Sequence, residues 1–142
     1  MKQRLLQIML FLSVGLLSAI RAFSYDVIVD GIYYNLVCYD GEKTVAEVTN
    51  NGEWTGSYSG DLVIPSSIVV NGTNYPVNSI GNSAFQECTY LNTISIPESV
   101  LSIDIGMFGL FSECINLSSI TVSENNPNYC SVDGVLYDKY KR

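Results

Sequence analysis

The sequence contains no histidine in any of its 142 residues. This absence removes the most common general base, the usual partner of a serine or cysteine nucleophile, and the most common zinc ligand. The four cysteines, Cys38, Cys88, Cys114 and Cys130, form no C-x-x-C pair, so their spacing does not support a zinc or redox centre. The sequence therefore predicts no catalytic residue, no metal site and no cofactor, and we expect the protein not to be an enzyme.

Basic residues are few, with seven Lys and Arg against 14 Asp and Glu. Three of the seven, Lys2, Arg4 and Arg21, lie in residues 1–24, which hold no acidic residue, so the rest of the chain carries a net charge of −10. Nucleic-acid binding needs positive charge to contact phosphates, and anionic membrane surfaces attract basic segments. The charge argues against both partners and is typical of a soluble exported protein.

Long apolar runs are also scarce, and the only one lies at the N-terminus. Residues 5–20 are almost wholly apolar and follow two basic residues, and Ala22 and Ser24 offer small side chains for a cleavage site. Residues 1–24 are therefore predicted to be a secretory signal peptide. The alternative is an uncleaved membrane anchor, for which the run is shorter than the roughly 20 residues of a spanning helix. No cysteine follows the run, so a lipid anchor is not indicated, and the mature protein is expected to be secreted or held at the cell surface.

One phrase occurs twice in the chain. SAFQECTYLNTISIP, residues 83–97, recurs 26 positions later as GLFSECINLSSITVS, residues 109–123. The matches fall on apolar positions, because packing fixes inward residues and leaves outward ones free to vary. These positions form the predicted repeat core: Phe85, Cys88, Leu91, Ile94 and Ile96 in the first copy, and Phe111, Cys114, Leu117, Ile120 and Val122 in the second.

Each copy of the phrase predicts a short strand with one buried face. In LNTISIP, Leu91, Ile94 and Ile96 point to one side, and Thr93 and Ser95 point to the other. Such a unit cannot bury its apolar face alone, and stacking on a neighbouring unit does so. The fold class is therefore predicted to be mainly β, built from stacked repeats.

The repeat extends in both directions. SIGNSAF and SIDIGMF are related at a spacing of 23, so the second unit carries three extra residues between Asp104 and Phe111, which we expect in a surface loop. LVIP, residues 62–65, echoes ISIP and begins an incomplete first unit, followed by a predicted hairpin at Asn71-Gly72. Residues 61–142 thus hold about two and a half units.

The segment before the repeats is predicted to be a β-hairpin or meander. Residues 26–49 carry turn signals at Asp30-Gly31 and Asp40-Gly41, and residues 25–60 are interpreted as an N-terminal β cap over the repeats. Asp133-Gly134 repeats the hairpin signal near the other end. Turn formation accounts for these acidic residues without a calcium site.

Two features of the sequence leave alternatives open. Cys88 and Cys114 hold equivalent positions in neighbouring units and can be a disulfide or two buried apolar thiols. A cluster of aromatic residues in the cap segment can be core or a contact surface, with core favoured. The members of this cluster are Tyr33, Tyr34, Tyr39, Trp54 and Tyr58.

The quoted repeat phrases, with NNPNY and DGVLY that follow them, resemble the BspA-like, Treponema-type leucine-rich repeat family over about residues 61–139. The second unit departs from the family pattern by its insertion and by Ser123 in place of proline. The resemblance implies a leucine-rich-repeat solenoid on a secreted or surface protein that serves adhesion and protein binding.

The leading hypothesis is a non-catalytic module that binds a protein, including host or extracellular-matrix proteins, with no nucleic acid and no small-molecule cofactor. The predicted binding face consists of the outward residues of the repeat strands: Thr93, Ser95, Ser119 and Thr121. The alternative is a structural spacer from a longer repeat protein.

Near its C-terminus the chain shows no distinct cap after the last unit. Ile120 and Val122 are predicted to have neighbours on one side only. If the repeats stop here, we expect self-association through an open strand edge, or a monomer of marginal stability. The alternatives to self-association are a truncated chain and an N-terminal cap that supplies enough core.

Overall fold

The computed structural model describes residues 25–140 except Asp40, Trp54, Thr55 and Phe108. All regular secondary structure in these residues is β-strand, and no helix among them is long and apolar enough to cross a membrane. The predicted signal peptide lies outside the described residues. The strands are β1 (Val27–Val29), β2 (Ile32–Tyr39), β3 (Glu42–Thr49), β4 (Gly60–Val63), β5 (Ser67–Val70), β6 (Thr73–Ile80), β7 (Leu91–Ile96), β8 (Ser102–Ile103), β9 (Ser119–Val122), β10 (Tyr129–Val132) and β11 (Val135–Asp138).

The repeated phrases form a three-stranded parallel sheet in the order β4-β7-β9. Leu62, Ile94 and Ile120 are in register across it, as their equivalent places in the repeat require. Ile94 and Ile120 are buried and Leu62 is partly buried against the core. The mainly β fold predicted from the alternating pattern is confirmed.

A second sheet runs β1-β2-β3-β6-β5, and β8 also pairs with β6. Its central pairings are parallel: Val48 of β3 lies beside Ile80 of β6, which lies beside Ile103 of β8. The first three strands, predicted as a cap, thus share a sheet with the first repeat unit. Their buried side chains, Tyr34 and Val48 among them, join the same hydrophobic core as those of the repeats.

Three two-residue turns close antiparallel hairpins where the sequence predicts them. Both central residues of each turn have positive φ, which Gly adopts freely and Asn or Asp tolerates. The turns are Asp30-Gly31 (49° and 80°), Asn71-Gly72 (52° and 80°) and Asp133-Gly134 (51° and 79°). At the fourth predicted turn Asp40 lies outside the described residues, and Tyr39 pairs with Glu42 across it.

A series of aromatic rings runs from the first strands into the repeats. Tyr25 contacts Tyr33 at a ring-centroid distance of 4.8 Å, Tyr33 contacts Tyr58 at 5.9 Å, and Tyr58 contacts Phe85 at 5.4 Å. Phe85 stacks on Phe111 at 5.5 Å. Tyr58 and Phe85 are buried, so the described part of the aromatic cluster is largely core. Its other members, Trp54 and the side chain of Tyr39, lie outside the described residues.

The Tyr58 hydroxyl joins the cap strands to the loop that leads into the repeats. It accepts the main-chain N–H of Tyr33 at 3.2 Å and donates to the carbonyl of Thr49. Burial of the ring raises the pKa of Tyr58 and keeps the hydroxyl protonated as a donor. The cap therefore connects to the repeat core by hydrogen bonds as well as by apolar packing.

The hairpin of β10 and β11 covers the edge of β9. The two amides of β9 that point away from β7 both have partners: the N–H of Ile120 donates to Gly134 O at 2.8 Å, and that of Val122 donates to Ser131 Oγ at 3.1 Å. The prediction of an open edge at this end is therefore wrong. Apolar residues are few in the hairpin, but main-chain and hydroxyl hydrogen bonds, which a hydrophobic pattern does not reveal, close the edge.

Asn126 fixes this hairpin to the preceding unit. Its side chain is 1% exposed. Its Nδ2 donates to the carbonyls of Pro97 and Val100, each at 2.9 Å, and its Oδ1 accepts the N–H groups of Asn128 at 2.9 Å and Tyr129 at 2.8 Å. Buried amide groups destabilise a fold unless their donors and acceptors are hydrogen-bonded. The four hydrogen bonds of the Asn126 side chain meet this requirement and hold the hairpin in place.

Candidate functional site

The four residues of the predicted binding face lie side by side on the β4-β7-β9 sheet. The strand register aligns them in two rows that cross all three strands. Each row also includes a residue of β4 that the sequence prediction did not assign to the face. The match of LVIP to ISIP places Val63 there, whereas Asp61 lies just before the matched residues. The first row is Asp61, Thr93 and Ser119, and the second row is Val63, Ser95 and Thr121.

The side chains of this face, which we call the strand face, are mostly small and polar. The Thr93 hydroxyl donates to Asp61 Oδ1 at 2.8 Å, and the Thr121 hydroxyl donates to the carbonyl of Ile94 at 3.3 Å. Val63 is 69% exposed and is the large apolar group of the face. The strand face therefore offers one carboxylate, several hydroxyls and one isopropyl group to a ligand.

The C-terminal hairpin covers part of the strand face. A Cβ atom placed on Gly134 would lie 3.0 Å from Ser119 Oγ and 3.3 Å from Ser119 Cα. These distances are tighter than most Cβ contacts, and the φ of +79° favours glycine as well. Ser119 thus lies next to the turn and is half-buried, as are Thr93 and Ser95, whereas Asp61, Val63 and Thr121 are exposed.

The cysteines are free thiols in this structure. Cys88 is buried, and the half-buried Cys114 donates from Sγ to the carbonyl of Phe85 at 2.9 Å. Burial raises the pKa of Cys88, and burial together with the neighbouring Cys88 raises the pKa of Cys114 to about 11. Both side chains therefore stay protonated at neutral pH and pack as apolar groups.

A polar cleft of about 230 Å³ lies between the loop after β3 and the turn before β7. Its side chains mainly organise these two loops: Asn50 Nδ2 donates to the carbonyl of Ser83 at 3.3 Å, and Ser57 Oγ accepts the N–H of Asn51 at 2.9 Å. Within the described residues there is no group of three His, Cys, Asp or Glu side chains that could hold a metal ion. The lining residues are Asn50, Gly52, Glu53, Ser57, Ser83, Gln86 and Glu87.

The three-residue insertion forms a surface loop that exposes apolar groups. Ile105 is 68% exposed and Met107 is 92% exposed. Gly106 has a φ of +59° and lies against Asn82, where a Cβ atom would approach Asn82 Oδ1 to 2.1 Å. The repeat pattern predicts the place of this loop but does not reveal that the side chains of Ile105 and Met107 are exposed.

Comparison with known families matches residues 66–131 to a model described as "BspA type Leucine rich repeat region (6 copies)". Comparison with the curated proteins finds no match.

Three solved structures are similar to this chain. A leucine-rich repeat protein from Bacteroides ovatus is 29% identical with a TM-score of 0.53, over 71% of this chain and 24% of that one. Another from Bacteroides capillosus is 30% identical with a TM-score of 0.52, over 70% of this chain and 66% of that one. A leucine rich cell surface protein from Faecalibacterium prausnitzii is 21% identical with a TM-score of 0.53, over 71% of this chain and 24% of that one, and it shows the fold alone. This chain spans about a quarter of the length of the first and third of these proteins.

Proposed function

The repeat region of this chain, residues 66–131, belongs to the BspA type of leucine-rich repeat, and we propose that it is a non-catalytic module that binds another protein through the strand face. The observation that carries this proposal is the register of β4, β7 and β9, which places Asp61 beside Thr93 and Val63 beside Ser95. Stacked repeats present extended surfaces of this kind to macromolecules.

Export is part of the proposal. A basic start and an apolar run in residues 1–24 support it, and a relative of the same fold from Faecalibacterium prausnitzii is described as a cell surface protein. N-terminal sequencing of protein recovered from the medium or the cell surface is expected to begin near Tyr25. Recovery of the full-length chain in the cytosol would contradict export.

The partner that we propose is a host or extracellular-matrix protein with a basic contact surface. The net charge of −10 on residues 25–142 and the Asp61 carboxylate on the strand face favour positive charge on the partner. Complementary charge increases the association rate and disfavours acidic partners. Binding is therefore expected to weaken as ionic strength rises.

The test is a binding assay of the mature chain against immobilised extracellular-matrix proteins. Ser95→Arg places a long cation on the strand face and is expected to weaken binding at least tenfold. Thr73→Arg, at an exposed position of β6 outside that face, is the matched control and is expected to bind as the wild type does. Equal loss in both variants, or in neither, would contradict the proposal.

A structural spacer is the second candidate function. The strand face carries no aromatic residue and no arginine, the residues that most often dominate protein interfaces. If the mature chain binds no protein in the panel and the coding sequence continues in frame beyond Arg142, the spacer function is favoured.

A further inference from the structure

We propose that the outer edge of β4 is a docking site for an extended, basic segment of a partner protein, which pairs with β4 as an added strand. This surface is the main-chain edge of the sheet. It shares Asp61 and Val63 with the strand face but binds through main-chain hydrogen bonds, so the inference goes beyond the proposed function. Three features of the structure carry it: the free amides of β4, the unequal extent of the two sheets, and the side chains at the edge.

The amides of β4 alternate in direction. Gly60 donates its N–H to the carbonyl of Tyr90 at 2.8 Å, and Ile64 donates to the carbonyl of Ser95 at 3.0 Å, both toward β7. The register shifts between Gly60 and Asp61 but is regular from Asp61 onward, so alternation counted back from Ile64 points the N–H groups of Val63 and Asp61 to the opposite side. Within the described part of the chain, β4 pairs only with β7, and no hydrogen bond reaches these two amides. Unpaired N–H groups of this kind at a sheet edge can donate hydrogen bonds to an added strand.

The opposite edge of the same sheet is closed. The outward amides of Ile120 and Val122 in β9 are both bonded by the C-terminal hairpin. The chain thus provides a cover for one end of the sheet and, within its described residues, none for the other. Because only the β4 edge of this sheet is open among the described residues, a further strand is expected to add there and not at β9.

The two sheets have different numbers of strands at the β4 end. The second sheet continues beyond β6 with β3, β2 and β1, whereas the first sheet ends at β4 among the described residues. β3 pairs in parallel with β6, much as β4 pairs with β7. Because β4 corresponds to β3, one strand added beside β4 would correspond to β2 of the second sheet. The architecture therefore has room for one strand at this place.

The side chains at the edge indicate the chemistry of the occupant. Asp61 is exposed and carries a carboxylate, and Val63 is 69% exposed. Cross-strand neighbours of opposite charge, or of paired apolar character, stabilise a sheet. A segment with a basic residue and an apolar residue two positions apart, on the same side of the added strand, matches both positions.

A second copy of the chain fits this edge poorly. Each copy carries a charge of −10 outside residues 1–24, so two copies repel each other. The edge of β4 is four residues long. Pairing two such edges buries far less than the roughly 800 Å² per partner of a stable interface. We therefore assign the edge to a basic segment of a different protein.

The experiment titrates the mature chain with a synthetic peptide of eight residues, with both ends blocked. Lysine and valine take turns at the odd positions and threonine fills the even positions, so lysine and valine share one face of the strand. Amide hydrogen exchange is followed by NMR at each residue. The expected result is binding, with exchange at Asp61 and Val63 slowed at least tenfold. The same peptide with N-methylated valines, which cannot complete the ladder, and the same peptide with glutamate in place of each lysine are both expected to bind at least tenfold more weakly.

Two variants of the protein complete the test. Val63→Pro removes one outward donor and is expected to abolish peptide binding, while Val63→Thr keeps the donor and is expected to retain it. The N-methylated peptide keeps the test decisive if the proline variant does not fold.

Four outcomes would overturn the inference. They are no binding at millimolar peptide, protection confined to other strands, equal binding of the acidic peptide, and protection of Asp61 and Val63 that grows with protein concentration in the absence of peptide. The last outcome would identify a second copy as the occupant. The two proposals can fail separately. If the peptide slows exchange at β4 but no matrix protein binds through the strand face, this inference stands and the proposed function is rejected.

Discussion

The hydroxyl of Thr93 donates a hydrogen bond to the carboxylate of Asp61 at 2.8 Å, across two strands whose residues lie 32 positions apart in the chain. The next residue, Ile94, points to the other side of the sheet and is 1% exposed. Each strand of the repeat thus points partly or fully exposed side chains to one side of the sheet and its core side chains to the other.

Core and face substitutions are expected to differ in their effect on stability. Leu91→Ala empties a fully buried position and should lower the free energy of unfolding by about 2–5 kcal/mol. Thr93→Ala removes one exposed hydrogen bond and should cost about 0.5–1.5 kcal/mol or less. Urea unfolding of the two variants measures the difference. Equal losses would mean that the inward and outward assignment of this strand is wrong.

Removal of the buried amide of Asn126 is expected to destabilise the C-terminal hairpin. Asn126→Ala leaves the carbonyls of Pro97 and Val100 without this donor, and each group left unsatisfied costs about 1–3 kcal/mol. Asn128→Ala, which removes one exposed side-chain bond to Leu101, is the control and should cost less. Thermal unfolding measures both. A similar change in melting temperature for the two variants would contradict the role assigned to Asn126.

The hairpin is expected to keep the protein from associating through β9. Gly134→Val forces a branched side chain onto a φ of +79° beside Ser119, and strain of this kind costs on the order of 1–3 kcal/mol. Displacing the hairpin frees the amides of Ile120 and Val122, so the variant should associate. Association should increase from low to moderate ionic strength, because salt screens the repulsion between acidic chains.

Sedimentation velocity across a salt series measures this association. Gly72→Val is the matched control, since Gly72 has a φ of +80° in a hairpin turn and no atom near its Cβ position. Wild type and control should stay monomeric with respect to this edge. Association of the wild type to the same extent as the Gly134→Val variant would show that the hairpin does not protect β9.

Stability is expected to fall in alkaline solution. The pKa of Cys114 is raised from 9.0 to about 11, first by burial and then by the neighbouring Cys88. Between these values the folded state holds a proton that the unfolded state has lost, so the stabilisation is complete below pH 9 and is lost as pH rises toward 11. Burial also raises the pKa of Tyr34 and Tyr58, which continues the decline at higher pH.

Urea unfolding from pH 8 to pH 11 measures this decline. Cys114→Ala should give a shallower dependence on pH than the wild type, and Thr93→Ala, which removes no titratable group, should keep the wild-type dependence. A Cys114→Ala variant with an unchanged pH dependence would contradict the assignment of this thiol.

The local pattern of the sequence predicts the strands and turns well, for physical reasons. Alternation of apolar and polar residues marks β7 and β9, and equivalent positions such as Ile94 and Ile120 then meet in register. Asn-Gly and Asp-Gly pairs select turns with two positive φ angles, so Asn71-Gly72 and Asp133-Gly134 were recognisable.

The long-range hydrogen bonds were not predictable from that pattern. The Asn126 side chain donates to the carbonyl of Pro97, and the Tyr129 hydroxyl accepts the N–H of Ile103 at 2.9 Å. Hydropathy gives no signal for such contacts. The parallel pairing of β3 with β6 likewise depends on how the chain crosses between sheets. For the candidate site, the neighbours Thr93 and Ser95 follow from the strand pattern, whereas the cover over Ser119 depends on the position of Gly134.

The most direct test of protein binding through the strand face is hydrogen–deuterium exchange of the mature chain with and without a matrix protein that it binds. The account predicts slowed exchange in residues 60–63, 91–96 and 119–122, with little change in residues 27–49. Protection confined to residues 27–49, or no protection of the three repeat strands by a bound partner, would contradict it.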